Sequence, residues 1–220
     1  MYVKRDSILI MYKKIILNLQ NYFIIKKVFT TFKNNKINIL ADLKSSRISI
    51  NGKNNIVDIQ KGDFKRIRIG ITGNNNSLSI ARNSKIRNLE INIIGDNHMV
   101  LLGERMALGG ASIVCCGNSS QVNIGYDCLL ASNINIKSCD GHAIYKNNEI
   151  INNSKEINIG NNVWIAQDVN ILKGVSISDN SVVGMNSLVT SGKFDANVII
   201  AGIPAKVIKT GITWSVEGTL

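Results

Sequence analysis

Aliphatic residues recur at every sixth position between residues 159 and 189. The positions are Ile159, Ile165, Ile171, Ile177, Val183 and Val189. An α-helix repeats at 3.6 residues and a strand alternates at two, so neither explains a period of six. The spacing predicts a solenoid in which each hexapeptide forms one flat side of a coil. Three hexapeptides would complete a triangular turn, with the repeated aliphatic side chains stacked inside it.

A longer period of 21 to 22 residues precedes the six-residue repeat. It is marked by four glycines, each followed seven residues later by an aliphatic residue: Gly52, Gly73, Gly95 and Gly117, with Ile59, Ile80, Leu102 and Ile124. The glycines and their neighbouring asparagines suit corners with positive φ. The sequence therefore predicts wider coils here, and we expect His98, which lies in one such corner, to face solvent.

The repeat is interrupted between about residues 138 and 155. Leu130 and Ile136 continue the six-residue spacing from Ile124, and the spacing resumes only at Ile159. The interruption predicts an excursion loop on an otherwise regular stack, and function concentrates in such loops. This loop carries the segment Cys139-Asp140-Gly141-His142.

The three parts of the chain are predicted as follows. Residues 1–36 form a basic N-terminal segment, in which residues 8–32 have helix-compatible apolar spacing. This segment either caps the end of the solenoid or lies in a membrane interface. Residues 37–205 form the all-β solenoid with its excursion loop, and residues 206–220 form a C-terminal tail.

Positive charge is concentrated at the beginning of the chain. Residues 1–70 hold 15 Lys and Arg against 4 Asp and Glu, which accounts for the whole net charge of +11. Such a segment is either simply solvated or attracted to an anionic membrane surface or an acidic polymer. No nucleic-acid-binding motif accompanies it, so we expect no nucleic-acid partner. Lysines interrupt the apolar stretch, which argues against a spanning helix and a secretory signal.

The four cysteines show no C-x-x-C pairing. They are Cys115, Cys116, Cys128 and Cys139. They indicate reduced core or wall residues of a cytoplasmic protein, peripheral on the inner membrane surface if the N-terminal segment binds there.

Three segments resemble the C-terminal half of bacterial hexapeptide-repeat O-acetyltransferases, which include galactoside, maltose and polysaccharide O-acetyltransferases. They are IGNNVWIA at 159–166, ILKGVSI at 171–177 and AGIPAKVIK at 201–209. With Asp140-x-His142, the resemblance covers residues 124–209. It implies a left-handed parallel β-helix, a homotrimer, and acetyl-CoA as the acyl donor. The chain departs from the family pattern at Ala166, where Gly is usual, at Met185, where a small residue is common, and at Lys209, where Arg is usual.

The resemblance assigns His142 as the general base that removes the acceptor hydroxyl proton, a task that suits the pKa of histidine. Asp140, Asp127 or Glu149 could orient its ring. Trp164 matches a family tryptophan beside the active site, where it either donates its indole N–H to the oxyanion or packs against substrate. Backbone amides near Ala166 offer another oxyanion hole.

An acyl-cysteine on Cys139 is an alternative mechanism that the family's direct transfer disfavours. The positions that match the family's CoA-binding residues are Ala166, Gln167, Met185 and Thr190 along the pantetheine arm, and Lys206 and Lys209 at the phosphates.

Together these features predict an acetyl-CoA-dependent O-acetyltransferase acting on a sugar of a surface polysaccharide, such as capsule or lipopolysaccharide, with sialic acid as one candidate. An N-acetyltransferase of an amino sugar or antibiotic and a non-catalytic solenoid remain as alternatives. The γ-class carbonic anhydrases are excluded, because their metal needs three histidines and the chain has two. We expect no metal.

Overall fold

The computed structural model describes residues 26–30 and 34–216 as a stack of strands wound into a triangular coil. The strands of these residues, in chain order, are β1 Lys26–Thr30, β2 Lys36–Ile39, β3 Asp42–Lys44, β4 Ser46–Asn51, β5 Ile56–Ile59, β6 Asp63–Thr72, β7 Ser77–Ile80, β8 Lys85–Ile94, β9 Met99–Leu102, β10 Ala107–Leu108, β11 Ala111–Cys116, β12 Gln121–Ile124, β13 Leu129–Leu130, β14 Ile134–Lys137, β15 Tyr145–Lys146, β16 Glu149–Ile150, β17 Ile157–Ile159, β18 Trp164–Ile165, β19 Asn170–Leu172, β20 Val175–Ile177, β21 Val182–Val183, β22 Leu188–Val189, β23 Gly192–Phe194, β24 Val198–Gly202 and β25 Ala205–Thr210.

Most of these strands form three faces, and the strands within each face are parallel. Face 1 contains β2, β5, β7, β9, β12, β17, β20 and β23. Face 2 contains β3, β10, β13, β18, β21, β24 and the first halves of β6 and β8; face 3 contains β1, β4, β11, β14, β19, β22 and the second halves of β6 and β8. We name each corner by the faces that it joins. The chain leaves the repeat in β25, which pairs antiparallel with β24. The all-β parallel solenoid is thus confirmed.

The interior is filled by the repeated aliphatic side chains. All six residues of the six-residue register are at most 3% exposed. The upstream coils continue the same stack, so that Val57, Leu78, Val100 and Val122 are completely buried on face 1. Each such side chain contributes roughly 1.5–3 kcal/mol by leaving water. The core therefore runs the length of the coil.

Residues with positive φ make the corners. Gly52 and Gly73 have φ of 145° and 130°, and a Cβ on either would overlap the carbonyl oxygen of the next glycine in the column. Most other corner residues with positive φ are asparagines, which tolerate this conformation better than other non-glycine residues. The Gly-Asn pattern therefore marks the corners, as predicted.

His98 is buried, not solvent-facing. It continues an internal column at the 3–1 corner that begins with Asn35, Asn55 and Asn76. Each of these asparagines accepts a hydrogen bond from a backbone N–H of the next coil and donates one to a corner glycine carbonyl. His98 Nδ1 accepts from Ser120 N at 3.0 Å, but its buried Nε2 has no hydrogen-bond partner among the described residues. The expectation of an exposed corner residue failed because this column faces inward.

The predicted N-terminal helical segment is wrong where the structure describes it. Lys26–Thr30 is strand β1, with Val28 opposite Ile48 and packed against the core. The Val-Phe-Thr sequence at 28–30 favours an extended chain. Residues 1–25 and 31–33 lie outside the described residues, and so does most of the 8–32 segment assigned to a cap or a membrane interface. Over residues 26–30 and 34–216, no helix has the length and apolar character needed to cross a membrane.

The prediction of four reduced cysteines is also wrong. Cys116 and Cys139 form a disulfide, with their Cα atoms 5.6 Å apart. Cys116 ends β11 and Cys139 begins the excursion loop, which folds back over the 3–1 corner. Cys115 and Cys128 are buried thiols, and burial raises the pKa of Cys128 to about 11. These thiols are therefore protonated and unreactive at neutral pH.

Candidate active site

The excursion loop leaves the solenoid at the 3–1 corner, after β14, and returns at β17. Its tip is a two-stranded antiparallel hairpin in which Tyr145 pairs with Ile150 and Lys146 with Glu149. Every residue from Gly141 to Ile151 is exposed. The loop therefore projects from the prism, and its two ends are held to the corner by the Cys116–Cys139 disulfide and by the hydrogen bond from Asn118 N to Ser154 Oγ.

His142 lies in this loop beside a cavity of about 310 Å³. Cys116, Gly117 and Asn118 form the solenoid side of the cavity, and the loop side includes His142 and Asn152. The disulfide lies in the wall between the two sides. The imidazole of His142 is exposed, so an acceptor can reach it from solvent.

A network of hydrogen bonds holds the backbone of His142. Asn152 Nδ2 donates to His142 O at 2.8 Å and to Asp140 Oδ2 at 2.9 Å, while Asn152 Oδ1 accepts from Ile144 N at 2.7 Å. Lys173, from the next coil, donates to Asp140 Oδ2 at 2.6 Å and to Asn152 O at 2.7 Å. Lys173 and Asn152 were not predicted from the sequence: Lys173 lies in the ILKGVSI segment but had no assigned role, and Asn152 lies in none of the three segments.

The three acids considered as partners of His142 lie in different places. Asp140 is in the cavity wall, where hydrogen bonds from Lys173 and then Asn152 lower its carboxyl pKa. Asp127 is at the 1–2 corner, paired with Arg105 at 2.7 Å, which lowers its pKa. Glu149 is exposed on the hairpin. Asp140 Oδ2 accepts hydrogen bonds from Lys173 and Asn152 and not from the imidazole of His142. The role of Asp140 in orienting that imidazole therefore stays a prediction.

Trp164 lies on a different side of the prism. It is the outward residue of β18 on face 2 and is 38% exposed. The ring of Trp214 packs against it with a centroid distance of 5.9 Å, and Trp214 Nε1 donates to Asn162 O at 2.8 Å. Trp214 follows the last repeat, so no periodic signal predicted it. The two indoles form an aromatic surface open to solvent.

Most of the positions assigned to CoA lie near Trp164. Ala166 and Gln167 follow it into the 2–3 corner, and Met185, 61% exposed, lies one coil further. Strand pairing puts Lys209 opposite Ile199 and Lys206 opposite Ala201, at the end of face 2. Thr190 follows β22 on face 3 and is therefore away from the others.

The backbone amide of Ala166 is already used. Ala166 N donates to Val183 O at 2.9 Å within the parallel ladder of face 2. An oxyanion hole needs a preorganised donor that points at the reacting oxygen and is not already paired. The predicted role of this particular amide is therefore not supported, whereas the Trp164 indole N–H makes no hydrogen bond with the described residues.

The chain is similar to three acetyltransferases. It is 33% identical over 138 residues to the polysialic acid O-acetyltransferase of Escherichia coli O1:K1 / APEC, a match that covers 62% of this chain and 44% of that protein. The polysialic acid O-acetyltransferase OatWY superposes with a TM-score of 0.81 at 31% identity, covering 89% of this chain and 93% of OatWY. The polySia-specific acetyltransferase NeuO gives 0.76 at 30% identity, covering 88% and 84%.

The chain belongs to the hexapeptide-repeat O-acetyltransferases. Two solved members of this family, at 30% and 31% identity, each match more than four fifths of this chain and more than four fifths of their own length. The curated relative is longer, and the chain spans less than half of its length. No family model matches the sequence. Family membership therefore rests on the two solved structures.

Proposed function

We propose that this protein is an acetyl-CoA-dependent O-acetyltransferase acting on a hydroxyl of a surface polysaccharide, with sialic acid polymers as the favoured acceptor class. The observation that carries the proposal is the match to OatWY over 93% of that chain, since OatWY is a polysialic acid O-acetyltransferase. We also propose that the coil of this protein is left-handed, as in the family. The proposed surface polysaccharide is capsule or lipopolysaccharide.

The reaction is a direct acyl transfer. His142 takes the proton from the sugar hydroxyl while that oxygen attacks the thioester carbonyl carbon of acetyl-CoA. The carbonyl oxygen becomes an oxyanion, which the indole N–H of Trp164 stabilises as a hydrogen-bond donor. The carbonyl then re-forms, the C–S bond breaks, and the thiolate of CoA receives the proton from His142.

The covalent alternative through Cys139 loses support. Acyl-cysteine formation requires a thiolate, and the sulfur of Cys139 is bonded to Cys116. The donor is instead held where Ala166, Gln167 and Met185 line the 2–3 corner and Lys206 and Lys209 supply positive charge. These two lysines are exposed, which suits the phosphates of a nucleotide.

A homotrimer completes the site. His142 projects from the 3–1 corner, whereas Trp164 lies on face 2, which is the side of the triangle opposite that corner. One chain therefore keeps the proposed base away from the proposed oxyanion donor. In a trimer, the loop of one prism approaches face 2 of its neighbour, so each site takes His142 and Trp164 from different copies.

Incubation with labelled acetyl-CoA and a panel of glycans tests the proposal. The panel contains polysialic acid, a neutral polysaccharide and an amino sugar. Transfer to polysialic acid that alkali releases as acetate supports an O-acetyltransferase. Alkali-stable label on the amino sugar would indicate N-acetylation, and no transfer to any glycan would indicate a non-catalytic solenoid.

A further inference from the structure

Basic side chains line the 2–3 corner of the first coils. Lys44 and Lys65 are register partners at the end of face 2, and Arg47 and Arg68 are partners at the start of face 3. Arg66 occupies the corner between Lys65 and Arg68. Partners in neighbouring strands of a sheet are about 4.8 Å apart. We call Lys44, Lys65, Arg66 and Arg68 the basic patch.

The backbone of Arg66 has an unusual conformation. Its φ is 60°, whereas the equivalent corner positions of neighbouring coils hold residues such as Ser45 and Asn88. Arginine adopts this conformation at a cost in free energy, and such outliers are concentrated at functional sites. Asparagine would adopt this backbone conformation at a lower cost in free energy. The presence of arginine here is therefore explained by its guanidinium and not by its backbone.

A second arginine with positive φ provides a contrast. Arg105, with φ of 55°, lies at the 1–2 corner and is neutralised by Asp127, at 2.7 Å, and by Glu104. Arg66 instead donates to the uncharged side chain of Asn88. The guanidinium of Arg105 thus has its anions within the chain, whereas that of Arg66 has no anionic partner among the residues that the structure describes.

The other cations of the basic patch are likewise free of ion pairs. Within the described ranges, Lys44, Lys65 and Arg68 are exposed and form no salt bridge. Asp63, a nearby acid, is held by Arg87, whose hydrogen bond is the largest cause lowering the pKa of that carboxyl. The lining of the hollow at the corner contains two of these cations, Arg66 and Arg68, and one acid, Glu90, which is the register partner of Arg68.

A groove connects the basic patch to the proposed reaction centre. A hollow of about 180 Å³ lies among Arg66, Arg68 and Glu90, and it shares Asn88 and Glu90 with a second hollow of about 360 Å³. The second hollow continues along the 2–3 corner past small residues to Ser132. Ser132 O accepts from Asp168 N, directly after Gln167. The groove therefore ends one coil before Trp164 and Ala166, at a residue that is hydrogen-bonded to their coil.

We propose that the basic patch binds an anionic stretch of the polymeric acceptor at a distance from the sugar that is acetylated. Four strand spacings separate Lys65 from Ala166, or roughly 19 Å. A polymer long enough to bridge this distance binds at both places, whereas a short oligomer reaches only the reaction centre. The enzyme then prefers long acidic chains. This inference rests on the proposed function for the identity of the acceptor.

A concave groove favours a polymer over a flat anionic membrane. The hollows are bordered by polar and small side chains, and a linear chain with regularly spaced carboxylates can follow the corner from coil to coil. The attraction is electrostatic, so salt should weaken it. Anionic lipid vesicles serve as the competing ligand in the test.

The test compares two variants of equal charge loss. The first carries Lys44→Gln, Lys65→Gln, Arg66→Asn and Arg68→Gln. The matched control carries Lys36→Gln, Lys61→Gln, Lys193→Gln and Arg105→Asn, which lie on face 1 or at the 1–2 corner. Thermal unfolding establishes that both variants are folded. Binding of fluorescent polysialic acid is then titrated at low and at physiological salt.

We expect the basic-patch variant to lose about tenfold or more in affinity for polysialic acid at low salt, a loss within the range that electrostatic attraction supports. The control should lose little. In steady-state kinetics, the basic-patch variant should have a raised KM for long polymer, whereas its KM values for short oligomers and for acetyl-CoA should stay the same.

Equal affinity of the two variants for polysialic acid would overturn the inference, as would a loss seen only with anionic vesicles. If the unmodified protein acetylates short oligomers but the variants bind polymer equally, the proposed function stands and the basic patch fails. If no glycan is acetylated, the proposed function fails, and the binding titration still decides the role of the basic patch.

Discussion

The side-chain amide of Asn152 donates a hydrogen bond to the backbone carbonyl oxygen of His142, at 2.8 Å. These residues lie on opposite sides of the exposed hairpin, so the bond closes the loop at its base. Lys173 and Asp140 hold Asn152 in turn. The position of the proposed base therefore depends on the side chains of Asn152, Asp140 and Lys173.

Asn152→Ala should slow acetyl transfer by about 10- to 10²-fold, because a displacement of about 1 Å at a reacting group has effects of this size. The KM for acetyl-CoA should stay the same, since the donor binds elsewhere. Steady-state kinetics measure both values. Asn153→Ala, the adjacent exposed residue, is the control. Equal rates for the two variants would rule out the positioning role of Asn152.

The ion pair of Asp140 with Lys173 gives a pH dependence. The pKa of Asp140 is lowered in the folded protein, so the contribution of the pair to stability is present above the ordinary carboxyl pKa near 4. It is lost as the pH falls through the lowered value. Lys173→Gln should raise the Asp140 pKa, as measured by NMR titration of the carboxyl carbon. An unchanged pKa would mean that the pair does not form in solution.

The disulfide should stabilise the protein. Cys116 and Cys139 are 23 residues apart in the sequence, and a disulfide closing a loop of this size typically contributes about 2–4 kcal/mol to the free energy of unfolding. Cys139→Ser should lower the free energy of unfolding in urea by that amount. A reductant should destabilise the original protein and leave the Cys139→Ser variant unaffected. The same response of both proteins to reductant would count against the bond.

His98→Asn should increase stability. The asparagine would continue the column of Asn35, Asn55 and Asn76 and donate to the next corner carbonyl. It would also remove the buried Nε2, which has no partner in the described part of the chain. The expected gain in the free energy of unfolding is about 1 kcal/mol. Asn76→Ala, one coil earlier, should instead lower it. Urea unfolding of the three proteins decides the matter, and a loss for His98→Asn would refute this account of the column.

The regular parts of the fold were predictable because they depend on local periodicity. Ile159 to Val189 had to face one interior, and the column of glycines had to form corners. The disulfide was not predictable, since the pairing of Cys116 with Cys139 depends on the path of an irregular loop. Lys173 reaches Asp140 only because the coils stack. The use of the Ala166 amide in a strand ladder was likewise visible only in three dimensions.

The rate of acetyl transfer by His142→Ala tests the central claim most directly. The measurement uses polysialic acid and labelled acetyl-CoA, with His98→Asn, the variant of the other histidine, as control. We predict that His142→Ala retains less than about a hundredth of the original rate, which is the smaller end of general-base effects. It should keep its acetyl-CoA affinity and oligomeric state, while His98→Asn stays active. A His142→Ala rate above about a tenth of the original would contradict the assignment of His142 as the base.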